Sequence, residues 1–220
     1  MNISSFNYID LFSGCGGFSL GAELAGFKNL LSVDIDETLQ SSYKLNFPTS
    51  NPIVADVSKY ETWGKSLNSE NIDLIIGGPP CQGFSRIGKG DIDDPRRNLL
   101  LSFFSSVGQI MPSFFVMENV EGLLDEKNRG LLDQGLKLIK KKYSIVEPFV
   151  LDASMIGAPT KRKRVFVIGC RKDIGINLSA EDFMPKSSKS IVTVKDAIFD
   201  LGCPTNQEDF DQFTFSSYKV

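Results

Sequence analysis

Cys81 stands in an abrupt turn, Gly77-Gly78-Pro79-Pro80-Cys81-Gln82-Gly83-Phe84-Ser85, that follows the apolar run Ile72-Asp73-Leu74-Ile75-Ile76. The run reads as a buried strand. Its prolines fix φ and stop a sheet from continuing, and its glycines let a ligand or another backbone come close. A lone cysteine is often a buried, inert small hydrophobe; one delivered to the mouth of a strand reads instead as a candidate nucleophile. Glu118 follows a second apolar run, Ser113 to Met117, as Glu118-Asn119-Val120. A helix N-cap region would also use these residue types, but beside a thiol a general acid or hydrogen-bond donor is the sharper reading. Lys161-Arg162-Lys163-Arg164 leads into Val165-Phe166-Val167-Ile168. A bare charge run is usually a solvated face. Alternate residues of a strand face one way, however, so Arg162 and Arg164 are expected to project together, suited to a phosphate or to the carbonyl oxygen of a base. The 220 residues contain no histidine, which excludes a Ser-His-Asp triad, a Cys-His dyad and an HExxH metal site within this chain.

A second constellation suits a cofactor. Asp10-Leu11-Phe12-Ser13-Gly14-Cys15-Gly16-Gly17-Phe18 is a glycine turn between a strand and a helix, where backbone N–H groups can approach a ligand. Asp34 lies twenty residues past Gly14, the place expected of an acid that accepts hydrogen bonds from ribose hydroxyls. Asp56 ends a neighbouring strand. The pattern is not a clean GxGxxG, because position 19 is Ser19, so an adenosine-containing cofactor is favoured over a dinucleotide. The bland alternative is a turn that only lets helix and strand pack closely.

These residues need a scaffold, and the periodicity supplies one. Strands are expected at Asn7 to Phe12, Leu30 to Val33, Pro52 to Ala55, Ile72 to Ile76, Ser113 to Met117, Tyr143 to Leu151 and Arg164 to Gly169. Helices are expected at Phe18 to Ala25, Glu37 to Leu45, Asn98 to Met111 and Asp125 to Lys142, with a short one at Val194 to Leu201. Alternation of this kind predicts an α/β fold with a doubly wound, mostly parallel sheet. Ligands of such sheets sit beyond the strand carboxyl ends, where Asp34, Asp56, Cys81 and Glu118 are expected to follow directly. Residues 82 to 97 form a long Gly- and Asp-rich connection, expected to be functional. From Asp173 the pattern degrades, so residues 1–172 read as a catalytic and cofactor-binding domain and 173–220 as an extension.

Composition is compatible with this plan. With 41% hydrophobic residues the chain can bury one sizeable core. The net charge of −3 argues against a histone-like binder, while Arg96-Arg97, Lys140-Lys141-Lys142 and residues 161–164 concentrate the positive charge locally. Cysteines at 15, 81, 170 and 203 have no CxxC spacing, which argues against zinc or a disulfide framework and suits a reducing cytoplasm. Neither a signal peptide nor a membrane-length apolar run is visible.

The quoted motifs, from Tyr8 to Gly169, resemble the cytosine-5 DNA methyltransferases that use S-adenosylmethionine, as in bacterial restriction–modification. Residues 10–17 are similar to the family's cofactor loop, residues 78–85 to its nucleophile loop, residues 118–120 to its catalytic glutamate motif and residues 160–164 to its Gln-x-Arg-x-Arg motif. The Pro-Cys-Gln and Glu-Asn-Val elements in this order are specific; the glycine loop alone is not. The resemblance implies a Rossmann-like methyltransferase fold and a cytosine flipped out of duplex DNA. Cys81 would attack carbon 6 of the ring, Glu118 would hydrogen-bond or protonate nitrogen 3, Arg164 would hold the carbonyl oxygen and Arg162 would support the loop and a phosphate. Because Glu118 activates the base, a thiol that is only a few per cent thiolate at pH 7 suffices without an imidazole. For S-adenosylmethionine, and its product S-adenosylhomocysteine, Asp34 would bind the ribose, Asp56 the adenine amino group and Phe12 the adenine face. The stretch Gly14, Cys15, Gly16, Gly17 and Phe18 would hold the methionine end, with Ile35 and Pro79 completing the pocket; no metal is implied.

Two departures stand out. Thr160 replaces the motif's Gln, and neither a target-recognition domain nor the family's final pocket segment is visible, which leads to the expectation of a fragment or of one subunit with a C-terminal partner. Three alternatives remain open: a tRNA-directed enzyme of the same fold, a non-catalytic subunit, and a nicotinamide-dependent dehydrogenase. Double-stranded DNA is the expected partner and the cytoplasm the expected location.

Overall fold

Near-continuous apolar runs give the central strands of the protein two faces to bury, and the computed structural model shows both covered at β1 and β4. It describes residues 6–67, 71–80, 97–185 and 191–201. Cys81 and the connection through Arg96, Cys203 and the tail from 202 lie outside the described residues. The elements are β1 (Asn7–Leu11), α1 (Gly17–Leu24), β2 (Lys28–Asp34), α2 (Glu37–Asn46), β3 (Pro52–Val54), α3 (Tyr60–Trp63), β4 (Leu74–Gly77), α4 (Asn98–Ile110), β5 (Phe114–Asn119), α5 (Glu126–Ile139), β6 (Tyr143–Ile145), β7 (Phe149–Asp152), β8 (Lys163–Arg171) and α6 (Val194–Ile198).

The sheet runs β3-β2-β1-β4-β5-β8-β6, with β7 pairing to β8. The first five strands are parallel neighbours; β8 is antiparallel to both β5 and β6. This is the expected doubly wound, mostly parallel α/β sheet. On one face Ile9, Leu11, Leu31, Val33, Ile75, Phe115, Met117, Val165 and Val167 pack with Leu100, Phe103, Phe104 and Val107 of α4 and Leu132 and Ile139 of α5. On the other, Tyr8, Leu74 and Ile76 pack with Ala22 of α1. Gly77 has to be glycine, because a Cβ there would lie 2.6 Å from the Leu11 carbonyl oxygen and 2.8 Å from the Phe103 ring.

Three sequence expectations change. Tyr143 to Leu151 is not one strand but two, β6 and β7, separated at residues 146–148, where the Val146 amide donates to Ile168 O. Glu118 does not follow β5 but lies within it: β4 stops pairing at Gly77↔Met117, whereas β8 continues as Glu118↔Phe166 and Asn119↔Val165. The antiparallel neighbour therefore extends the strand two residues beyond its parallel one. Beyond Asp173, where periodicity is lost, Leu178, Ala180 and Phe183 still pack on Val146, Phe149 and Ile168. Phe149 stacks on Phe166 and on Phe183 at 6.0 and 5.8 Å between ring centroids.

By contact density the chain forms two units, Met1–Leu151 with Lys163–Met184, and Asp152–Arg162 with Pro185–Val220. The first contains the sheet core. In the described part of the second, Asp152 caps a 3-10 turn by accepting from Ser154 N and Oγ. There α6 begins with a reciprocal Thr193–Asp196 capping box, and Ile191, Val194, Ile198, Phe199 and Leu201 are exposed. No helix among the described residues is long and apolar enough to cross a membrane.

Candidate active site

The glycine loop is held by β2 and α2, the two elements that come after α1 in the chain. After β1 the backbone enters the left-handed region at Phe12 (φ 62), Gly14 (φ 53) and Gly16 (φ 97). Phe12 N and Ser13 N both donate to Val33 O, at 2.8 and 3.2 Å, so the loop folds over the end of β2. Helix α2 then clamps it. Gln40 Nε2 donates to Ser13 Oγ at 2.8 Å and Asn46 Nδ2 to Cys15 O at 3.1 Å. Phe47 occupies the space that a Cβ on Gly16 would need. Among the described residues, chain neighbours aside, nothing lies within 4 Å of where a Cβ on Gly14 or Gly17 would sit.

Asp34, the last residue of β2, accepts from Gly14 N at 2.9 Å through Oδ2 and from Asp36 N at 3.0 Å through Oδ1. Its carbonyl accepts from Ala55 N at 2.9 Å, which ties it to the end of β3. Asp56, two residues past β3, accepts from Ser58 N and Oγ through Oδ1. The Ser58 hydroxyl leads the effects that hold the Asp56 carboxyl below its ordinary range, with Lys59 adding to it. Ile35 is 69% exposed beside Asp34. Open glycine positions, an anchored acid at the ribose distance in sequence and an exposed apolar side chain make a cradle that fits an adenosine-type cofactor.

The second half of the site begins one strand away, since Leu11 pairs with Gly77 and Gly77 with Met117. Arg164 Nε lies 2.6 Å from Glu118 Oε1, and both side chains are partly exposed. Arg164 also donates through Nη1 to Lys163 O at 2.8 Å. Glu118 Oε2 borders Gly78, where a Cβ would lie 3.4 Å from it. Asn119, buried, donates through Nδ2 to Pro79 O at 3.2 Å and accepts through Oδ1 from Val120 N at 2.9 Å. The end of β5 is thus fastened to the Pro79-Pro80 turn that leads to Cys81.

The structure brings together Phe12, Gly14, Cys15, Gly16, Gly17, Phe18 and Asp34 as one loop, with Asp56 on the adjoining strand end. It brings together Glu118, Arg164 and Pro79 as a second group on adjacent strands. Cys81 lies outside the described residues. Arg162 does not behave as expected: β8 starts at Lys163, so strand alternation does not reach it. Arg162 is exposed and belongs to the second unit, where its carbonyl accepts from Ala153 N. Sequence reasoning missed Asn119, although its place directly after Glu118 was the signal. It also missed Asp10, a carboxyl inside an apolar strand, which is 1% exposed. Burial, with Asp34 adding to it and the Ser19 hydroxyl opposing, pushes Asp10 up to about 7.

The family model for C-5 cytosine-specific DNA methylases matches residues 6–219. The chain is similar to the Type II methyltransferase M.DdeI of Desulfomicrobium norvegicum, 37% identical over 204 residues that cover 89% of this chain and 48% of that protein. It is similar to the Type II methyltransferase M.NgoPII of Neisseria gonorrhoeae, 36% identical over 217 residues, 96% of this chain and 63% of that protein. A crystal structure described as a DNA modification methyltransferase encoded within an E. coli prophage superposes with a TM-score of 0.80 and 43% identity, over 92% of this chain and 56% of that one. The 220 residues therefore span about half to less than two thirds of these relatives.

Proposed function

The chain belongs to the C-5 cytosine-specific DNA methylases, and we propose that it carries the catalytic part of an enzyme that methylates carbon 5 of cytosine in duplex DNA, in a restriction–modification setting. S-adenosylmethionine, when bound, supplies an electrophilic methyl group. One observation carries the reading: the Glu118–Arg164 pair borders Gly78, three residues before Cys81, at the end of β4, the strand next to the one that leads into the glycine loop.

On this reading a flipped cytosine enters beside β5 and β8. The Cys81 thiolate forms a bond to carbon 6. Glu118 donates a hydrogen bond or proton to nitrogen 3, so the electron pair displaced from the ring double bond makes carbon 5 nucleophilic. Arg164 reaches Glu118 through Nε and offers its remaining N–H groups to the carbonyl oxygen of the base. After methyl transfer, loss of the carbon 5 proton restores the double bond and expels the Cys81 sulfur. Asp34, Ile35, Asp56, Phe12 and Pro79 line the adenosine side, and the backbone from Gly14 to Phe18 holds the amino-acid side. Arg162 contacts phosphate. Sequence recognition belongs, in this proposal, to a further segment or to a partner chain.

The test is trapping with duplex DNA that carries 5-fluorocytosine, in the presence of S-adenosylmethionine and any partner chain. Fluorine blocks the proton loss that releases the enzyme, so a covalent adduct at Cys81, absent from Cys81→Ala, is expected. Protein that methylates DNA yet yields no adduct overturns the mechanism. Transfer to tRNA with none to DNA overturns the substrate.

A further inference from the structure

Asp10 terminates a buried chain of hydrogen bonds drawn from four elements. It is next to last in β1, between Ser32 and Ile76 on the neighbouring strands. Its Oδ2 accepts from Ser19 Oγ in the first turn of α1 at 2.6 Å. Ser19 Oγ accepts from Tyr43 Oη of α2 at 2.7 Å, and Tyr43 Oη from Ser32 Oγ of β2 at 2.6 Å. Ser32 Oγ in turn accepts from Asn29 Nδ2 at 3.1 Å. An amide N–H can only donate and an ionised carboxylate can only accept. The three hydroxyls between them therefore point one way, toward Asp10.

The other carboxylate oxygen has no such support. Asp10 Oδ1 is buried and accepts no hydrogen bond among the described residues, although the Ser19 amide as well as its hydroxyl favours the charged carboxyl. Among the described residues, the titratable groups around this carboxyl are acidic or neutral: Asp34 from β2 and Tyr43 from α2, and Tyr8 two positions back on the same face of β1, with Glu23 of α1 acting on Tyr8. Burial holds both tyrosines above the usual phenol range, so they stay neutral at pH 7. From β4 the neighbour is Ile76. Ionised, Asp10 is a buried charge whose Oδ1 is unmatched; protonated on Oδ1, it keeps the hydroxyl chain intact on Oδ2 and loses the charge.

We propose that Asp10 is the counter-charge of the cofactor site: its Oδ1 holds a proton in the free protein and releases it to solvent when the sulfonium of S-adenosylmethionine occupies the Gly14–Asp34 loop. The inference rests on the cofactor reading above. S-adenosylmethionine carries a net positive charge, whereas in S-adenosylhomocysteine the ammonium and carboxylate cancel. The methyl donor is therefore favoured by ionised Asp10 and the product is not. Linkage makes the effect reciprocal: discrimination between donor and product grows as pH rises through about 7. Loss of the methyl group removes the positive charge, and Asp10 takes a proton back from solvent.

Calorimetric titration of the protein with each nucleoside, at several pH values and in buffers of different ionisation enthalpy, counts the protons. Release of about half a proton is expected for S-adenosylmethionine near pH 7, clearly less for S-adenosylhomocysteine, and none in Asp10→Asn. Ser19→Ala removes the hydrogen bond that favours the charged form, so its release should move to higher pH; it serves if Asp10→Asn fails to fold. In the free protein, an infrared carbonyl band of a protonated carboxyl should fade between pH 6 and pH 8. Equal proton counts for the two nucleosides, or a count unchanged in both variants, overturn the inference while leaving the cofactor reading intact. Failure of both nucleosides to bind overturns the cofactor reading and the inference with it.

Discussion

Glu118 and Arg164 meet through a 2.6 Å charge-assisted contact, yet both are partly open to solvent. Such a pair contributes at most about 1 kcal/mol to stability. What it fixes is direction: the guanidinium plane is set by Glu118, and the second carboxylate oxygen is turned toward Gly78. Stability and activity should therefore separate. Glu118→Gln keeps the shape but loses the proton donor, and single-turnover methylation is expected to fall by roughly 10²–10⁴-fold with a melting temperature close to the wild type. Arg164→Lys keeps the charge but not the planar fork, so it should slow 5-fluorocytosine adduct formation while leaving S-adenosylmethionine affinity unchanged. A wild-type rate in Glu118→Gln would remove that residue from the chemistry.

The elements hold these side chains by contacts that are short in space and long in sequence. Asn119 reaches Pro79 across 40 positions, and it is buried. Asn119→Ala leaves the Pro79 carbonyl without that donor, a loss of about 1–3 kcal/mol. Thermal melting should register it, and adduct formation at Cys81 should slow more than cofactor binding weakens. Equal losses in both would mean that the contact only stabilises the fold. Gly16 is the corresponding point of the other loop: at φ 97, with the Phe47 ring in the Cβ position, Gly16→Ala is expected to cost about 1 kcal/mol or more and to weaken S-adenosylmethionine binding. Why parts of this were legible in the sequence, and parts not, follows from the same distances. Strands β2 and β4 announce themselves by apolar runs that end at aspartate and at glycine, and β1 by one that runs into a glycine turn. The end of β5 does not, because it is set by pairing with β8 some fifty residues later. Likewise β8 begins at Lys163 rather than earlier, so the alternation argument that joined Arg162 to Arg164 had no strand under it.

At the scale of the whole molecule, the hydroxyl chain that ends on Asp10 could not be read from the sequence, since Asn29, Ser32, Tyr43, Ser19 and Asp10 converge only when β1, β2, α1 and α2 have packed. Its cost should appear in the stability of the free protein. An unfolded aspartate titrates near 3.9, whereas folded Asp10 is pushed up to about 7, chiefly by burial. Between these values the folded state binds more protons than the unfolded state, so the stability present below pH 4 declines as pH rises and levels off above about 7. The slope approaches about 1.4 kcal/mol per pH unit for one fully retained proton. Denaturant unfolding of wild type and Asp10→Asn from pH 4 to pH 8 isolates this contribution, because the other acids cancel in the difference. The wild type should lose ground steadily against the variant up to about pH 7 and run parallel to it beyond. Parallel curves throughout would mean that Asp10 titrates in the folded protein as it does in the unfolded chain, and that the orphaned oxygen is matched after all.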